Sequence, residues 1–287
     1  MIDIIVEMLS YEFLVRAFIV GALVSVCAAL LGVSLVLKRY SMIGTGLSNV
    51  GFGSLAIATA LNMAPLSLAI PIVIAAAFLL LRLSENSKIK GDAAVALVST
   101  SSLAIGVIIV TITTGMNTDV CNMMFGTILA MTDADVYLSV GLSVTVLALF
   151  ILFYHKLFAI TFDETFARAG GIKTELYNML IALLTALTIV LGMRMMGAML
   201  ISALIIFPAL SSMRIFKQFK SVTICSAVIS LLCFFTGVFI SFAAGWPPFN
   251  IRLPTGASVV GINIIVFALF WLVNVARNAA ILHKHRR

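Results

Sequence analysis

Side chains that hold metals or move protons are scarce in this chain, and their spacing excludes more chemistry than it suggests. The three histidines, His155, His283 and His285, all stand beside basic residues. His155 reads as an interfacial polar residue, and the pair in HKHRR as part of a positively charged anchor. The four cysteines, Cys27, Cys121, Cys225 and Cys233, have no paired metal-ligand spacing. All but Cys121 lie in apolar runs, where cysteine acts as a small hydrophobe, so neither a disulfide nor a cysteine-metal site is expected. Met193, Met195, Met196 and Met199 in GMRMMGAM suggest thioether ligation of a soft metal, but in a chain with fourteen methionines they read first as packing. No serine has a histidine base near it, and Asp119, Asp133 and Asp135 gather in or beside one polar segment, which disfavours an intramembrane hydrolase. No GxxxxGK[ST] loop occurs, so the chain cannot hydrolyse ATP by itself.

The elements that must position these groups are membrane helices. Of 287 residues, 62% are hydrophobic and 10% charged, against about a quarter charged in a soluble domain. Fifteen of the eighteen Lys and Arg residues fall in five clusters: Lys38-Arg39, Arg82/Lys88/Lys90, Lys156/Arg168/Lys173, Arg214/Lys217/Lys220 and Arg277/Lys284/Arg286/Arg287. The apolar intervals between them are long enough to cross and return, which puts all five on the cytoplasmic face. The formal charge of +7 is thus spread over short loops, and no nucleic-acid partner is expected. Candidate spans run over 13–37, 43–61, 65–81, 91–114, 134–154, 175–193, 196–213, 221–243 and 254–276, with 43–61 and 196–213 the weakest. Nine crossings put the N-terminus outside; one re-entrant segment makes eight and moves it inside. Residues 1–12 carry Asp3, Glu7 and Glu12 before any basic residue, the reverse of a signal peptide, so no cleavage is expected. The fold class is therefore all-α and polytopic, one transmembrane domain over 1–287.

Inside that frame a few segments stand out. Residues 115–133 are polar, glycine-broken and free of basic residues, and read as an outer loop with a short half-buried turn. Pro208 lies inside ISALIIFPALSS, where it removes a backbone hydrogen bond; a kink is expected, with Ser202, Ser211 and Ser212 available to the freed groups. Gly44, Gly46, Gly51, Gly53, Ala56, Ala58 and Ala60 let one span approach its neighbours closely or keep a narrow path open. The loop at 155–175 carries Asp163 and Glu164 at the start of a short surface helix and Gly170-Gly171 at its end.

The chain resembles the ABC-3 family of permeases, the membrane subunits of bacterial ATP-driven importers for zinc, manganese or iron. The resemblance rests on seven ordered segments: GVSLVLKRY at 32–40, MIGTGLSNVGFG at 42–53, GDAAVALVSTSSLAIG at 91–106, MMFGTILAMTDAD at 123–135, FDETFARAGG at 162–171, GAMLISALIIFPALSS at 197–212 and LPTGASVV at 253–260. It implies a type II-like importer permease in the cell membrane. Two copies would form the pore, two separate ATP-binding subunits would use ATP, and an extracellular metal-binding protein would dock on the outer loops at 115–133 and 244–254. It also implies that Phe162, Asp163, Glu164, Ala167, Arg168, Gly170 and Gly171 form the coupling element, and that Asp119 and Arg194 meet the binding protein. For Arg194 the residues themselves favour snorkelling to the outer headgroups over that contact. Thr45, Ser48, Asn49 and Pro208 would line the translocation pathway. The cargo order implied is zinc first, then manganese, with no cofactor held by the chain itself.

One departure from the family pattern is chemical. Its second span usually carries Asp and His four residues apart; here Thr45 and Asn49 occupy those places, still on one helix face. Both offer neutral ligands, so a metal site here is weak or abolished and stable zinc binding is not expected. Two readings stay open. In one, permeation needs only transient ligation and the binding protein sets specificity; in the other, the gate is altered or disabled. Outside the family, a secondary transporter or a non-transporting scaffold also fits hydropathy, but the spans lack the mid-membrane ionisable residue that such a carrier often uses.

Overall fold

The computed structural model describes residues 12–86, 91–113, 126, 133–245 and 253–285. Lipid offers no partner for a backbone amide, so the chain satisfies its N–H and C=O groups within helices. In order these are α1 (Glu12–Leu37), α2 (Ser41–Ala60), α3 (Pro65–Asn86), α4 (Gly91–Thr113), α5 (Asp133–Leu152), α6 (Tyr154–Phe162), α7 (Glu164–Ala169), α8 (Thr174–Met196), α9 (Ala198–Ile215), α10 (Phe219–Ala244) and α11 (Thr255–His285).

Seven of the described helices are long and apolar enough to cross a membrane, and α5 with α6, bent by 68°, raises the number to eight if the pair is one span. Eight is the lower of the two counts expected from hydropathy. The ninth candidate, 43–61, does form a helix, but α2 is too rich in Gly, Ser, Thr and Asn to join that set. Its 20 residues would span about 30 Å, and it lies among protein neighbours. Buried side chains from Ile43 to Ala58 face α3, α4, α8 and α9. The spans nearest the middle are α1 and α8, 67% and 72% buried, whereas α11, 11% buried, lies at the periphery of the bundle.

Three helix ends share one turn geometry. After α1, Arg39 N–H reaches Val36 O at 3.1 Å and Tyr40 N–H reaches Leu35 O at 2.8 Å, with Arg39 at φ 61°. The same two bonds close α2 around Asn62 and α7 around Gly171. This is the Schellman end, in which a left-handed residue lets two amides satisfy the last carbonyls. Gly171 fills that role at no steric cost; Arg39 does so against its Cβ.

Pro208 lies inside α9, which runs unbroken from Ala198 to Ile215, and Pro71 lies inside α3. The serines do not serve Pro208 as expected. Ser202 Oγ lies 2.9 Å from both Ala198 O and Ser48 Oγ and shares its one proton between them, Ser212 Oγ donates to Ala209 O at 2.9 Å, and Ser211 Oγ has no partner. A helical serine reaches only the carbonyl three or four residues back, and none of these stands that far beyond Leu204, the carbonyl that Pro208 deprives of its donor.

Packing brings members of four of the basic clusters to one end. Lys38 lies 3.9 Å from Glu164 of α7, and Phe219, beside Lys220, packs on Phe158 and Phe162 at 5.3 and 5.9 Å between ring centres. Leu81, beside Arg82, lines a small cavity with Lys38 and Asn178.

Candidate functional site

Two polar regions emerge, one midway along α2 and one at the basic end. Thr45 and Asn49 are one turn apart on α2 and both half-buried. Asn49 Nδ2 donates to Ser99 Oγ of α4 at 2.7 Å, which leaves the amide oxygen unused by that bond. Ser48, buried on the neighbouring face, donates to Gly44 O and accepts from Ser202 Oγ of α9, each at 2.9 Å. Hydroxyl and amide dipoles thus hold α2 between α4 and α9 without a formal charge.

Small residues make these bonds reachable. A Cβ added at Gly53 would fall 2.8 Å from the Ser102 carbonyl oxygen, and one at Gly106 would fall 2.7 Å from the Phe52 ring. The glycine-rich stretch of α2 therefore serves close packing against α4. Met193 belongs to the same packing: its methyl group occupies the space beside Gly51, as Met196 does beside Gly21. Both are buried, and neither points to soft-metal ligation.

Among the described residues, no three His, Cys, Asp or Glu side chains come together as a metal site. Asp92, Asp163, Glu164 and Glu175 sit in first turns or caps of their helices. What the middle of α2 offers a cation is a set of neutral oxygens, from Thr45, Asn49 and the serines beside them. Such donors can replace part of a hydration shell but cannot neutralise a divalent charge. Pro208 is buried on α9, the helix that supplies Ser202. Arg194 is half-buried in the last turn of α8, and Asp119 lies outside the described residues.

The second region is the turn–helix–turn at 162–171. Asp163 caps α7: its carboxylate accepts from Phe166 N–H at 2.9 Å and from Thr165 Oγ1 at 2.6 Å. These bonds favour the ionised form and hold the carboxyl below its ordinary value. Ala167 is the buried residue of α7, while Phe162 and Phe166 are exposed, 56% and 75%, a combination that leaves an aromatic face open on a fixed helix. Gly170 caps the helix and Gly171 reverses the chain into α8.

The partners that tie these regions down are not visible in the sequence. Asn178 lies in no family segment; Ser99 and Lys38 lie in the segments 91–106 and 32–40, but nothing in those segments says which residue each will meet. Glu164 lies 3.6 Å from Arg168 and 3.9 Å from Lys38, accepts from Asn178 Nδ2 at 3.2 Å, and Arg168 in turn donates to Thr174 Oγ1 at 3.1 and 3.3 Å. Of these pairings, only that of Glu164 with Arg168 is foreshadowed by spacing, since i,i+4 residues are neighbours on a helix.

The family model of the ABC 3 transport family matches residues 10–274. The manganese import system permease protein ScaB of Streptococcus gordonii is 28% identical over 264 residues, covering 92% of each chain. The probable iron transport system membrane protein of Haemophilus influenzae is 29% identical over 273 residues, 95% of this chain and 94% of that one. Among solved structures, PsaBC from Streptococcus pneumoniae in complex with Fab superimposes with a TM-score of 0.81 at 28% identity, covering 94% of this chain and 95% of that one.

Proposed function

Because the chain belongs to the ABC 3 transport family, and so is the non-catalytic membrane permease of an ABC-type divalent-metal importer in a bacterial inner membrane, we propose that it passes manganese through a pore of two copies. Two ATP-binding subunits sit at the basic end and take hold of 162–171; an outer metal-binding protein delivers the ion near Arg194 and Asp119. ATP is used by the partner subunits. The observation that carries the choice of metal is the neutral, all-oxygen pair Thr45 and Asn49 on a helix buried in the bundle. Oxygen donors suit manganese, whereas zinc gains most from imidazole and thiolate. The relative named for manganese import points the same way, so manganese moves ahead of zinc, the first choice from sequence resemblance. Iron, named for another relative, is the competing cargo.

The neutral pair also defines the ion's passage. Without a carboxylate at this level the ion is bound transiently and keeps part of its water, and the outer protein supplies selection. The competing reading, a disabled gate, is separated by one experiment. The complete complex is reconstituted in vesicles, and ATP-driven uptake of manganese, iron and zinc is compared between this sequence and its Thr45→Asp/Asn49→His variant. Manganese uptake by the unaltered chain, with tighter zinc retention in the double variant, is the expected result. Uptake of every metal by the double variant alone would establish the disabled gate.

A further inference from the structure

We propose that Lys38 is a positioning residue that transmits movement of the coupling helix into α2, the helix bearing Thr45 and Asn49. This rests on the reading of 162–171 as the element held by the ATP-binding subunits.

A lysine at the cytoplasmic end of a membrane helix ordinarily extends its ammonium to the headgroups and water. Lys38 does the reverse. Its side chain is 7% exposed and is turned inward, where the ammonium lies 3.9 Å from Glu164 and donates to Asn178 Oδ1. Asn178 in turn donates to Glu164, so the end of α1, the start of α7 and the first turns of α8 meet through shared polar contacts. Arg168 stands on the exposed side of the same carboxylate and reaches Thr174 at the start of α8.

The two residues after Lys38 make this set more than an anchor. Arg39 is held left-handed at φ 61°, a conformation that costs a non-glycine residue energy and persists only where its surroundings fix it. Tyr40 is then the N-cap of α2, so three residues, Lys38 to Tyr40, join the last turn of α1 to the first turn of the pathway helix. The link has no slack. If α7 shifts, Glu164 either takes Lys38 with it or withdraws a carboxylate from a nearly buried ammonium, and the second is the costlier outcome. Ser48 and Asn49, hydrogen-bonded to α9 and α4, are the places where such a displacement of α2 would be felt.

The test uses the complete complex in vesicles, with manganese uptake and ATP hydrolysis measured on the same preparation. The variants are Lys38→Met, Lys38→Arg and the exchange Lys38→Glu/Glu164→Lys. Lys38→Met should lower manganese carried per ATP by about fivefold or more while hydrolysis stays within about twofold, since the residue couples and does not catalyse. Lys38→Arg should keep most of the ratio, and the exchange should recover a large part of what Lys38→Met loses. An unchanged ratio in Lys38→Met, or an exchange no better than that variant, would overturn the proposal. Should Lys38→Met fail to accumulate, the exchange decides, because it restores opposite charges and only a coupling role predicts recovered uptake per ATP. Phe166→Asp separates the underlying reading: if the ATP-binding subunit still assembles and is stimulated normally, 162–171 is not the coupling element, whatever Lys38 does.

Discussion

The middle of α2 and the basic end of the bundle are both dense in polar groups, yet only the second carries formal charge. Around α2 the bonds run between hydroxyls, an amide and carbonyls: Asn49 to Ser99, Ser202 to Ser48, Ser48 to Gly44. At the end of the bundle Lys38, Glu164 and Arg168 share contacts with Asn178 and Thr174. The difference follows from dielectric. Ions buried away from water lose more hydration than a pair regains, while neutral dipoles satisfied by one another can be held at membrane depth. A seam built of dipoles therefore costs little by itself and would grip a cation weakly, whereas the charged end holds one geometry firmly. Release is useful in the first place and rigidity in the second.

The largest expected effect tests how closely the neutral region is packed. Gly53→Ala puts a Cβ 2.8 Å from the Ser102 carbonyl, a backbone atom that cannot swing aside, and should cost about 2–3 kcal/mol by forcing α2 and α4 apart. Gly141→Ala, with nothing within 4 Å of its new methyl, should instead stabilise by about 0.5–1 kcal/mol. Thermal unfolding of the two variants in detergent checks both signs; equal behaviour would mean that α2 is not in close contact with α4. A smaller effect is expected from Ser99→Ala, which removes the acceptor of Asn49 Nδ2 and should cost about 1–2 kcal/mol. It should also lower manganese uptake, because the amide is then free to turn. Ser99→Thr keeps the hydroxyl and should recover both readouts.

Much of this contrast is legible in residue types, and its decisive contacts are not. Basic clusters and long apolar runs expose the spans, because lipid imposes one rule on every helix. Gly170-Gly171 marks the end of α7 because a left-handed turn favours glycine. Arg39 and Asn62 serve the same turn without that mark. The break between α5 and α6 is hidden for a different reason: no proline or glycine announces it, and Tyr154 to Phe162 continues the apolar run into a basic stretch. Pairings are the least visible. Lys38 and Asn178 are 140 positions apart, and no periodicity within one helix says which residue of another it will meet. Thr45 and Asn49 stand out only through the family pattern they depart from, and their neutrality acquires meaning from the burial of α2.

The smallest effect belongs to the exposed edge of the charged region. Asp163 holds the first turn of α7 by accepting from Phe166 N–H and Thr165 Oγ1, and those bonds depress its carboxyl below the ordinary 3.8. A group whose value is lowered by folding contributes fully above its unfolded value and loses that contribution as pH falls through the folded one. The cap should therefore be constant from neutral pH down to about 5 and weaken only below about 4. Hydrogen exchange of the Phe166 amide, corrected for its intrinsic pH dependence, reads this directly. Asp163→Ala should lose protection at every pH, whereas Asp163→Asn, which also caps well, should keep it and lose the acid sensitivity. Global unfolding should hardly move in either variant, since α7 is a six-residue helix anchored by Ala167. If protection in the unaltered chain drifts between about pH 5 and 7, well above the carboxylate range, a group other than Asp163 governs the turn, and the charged end of the molecule titrates where this geometry would keep it still.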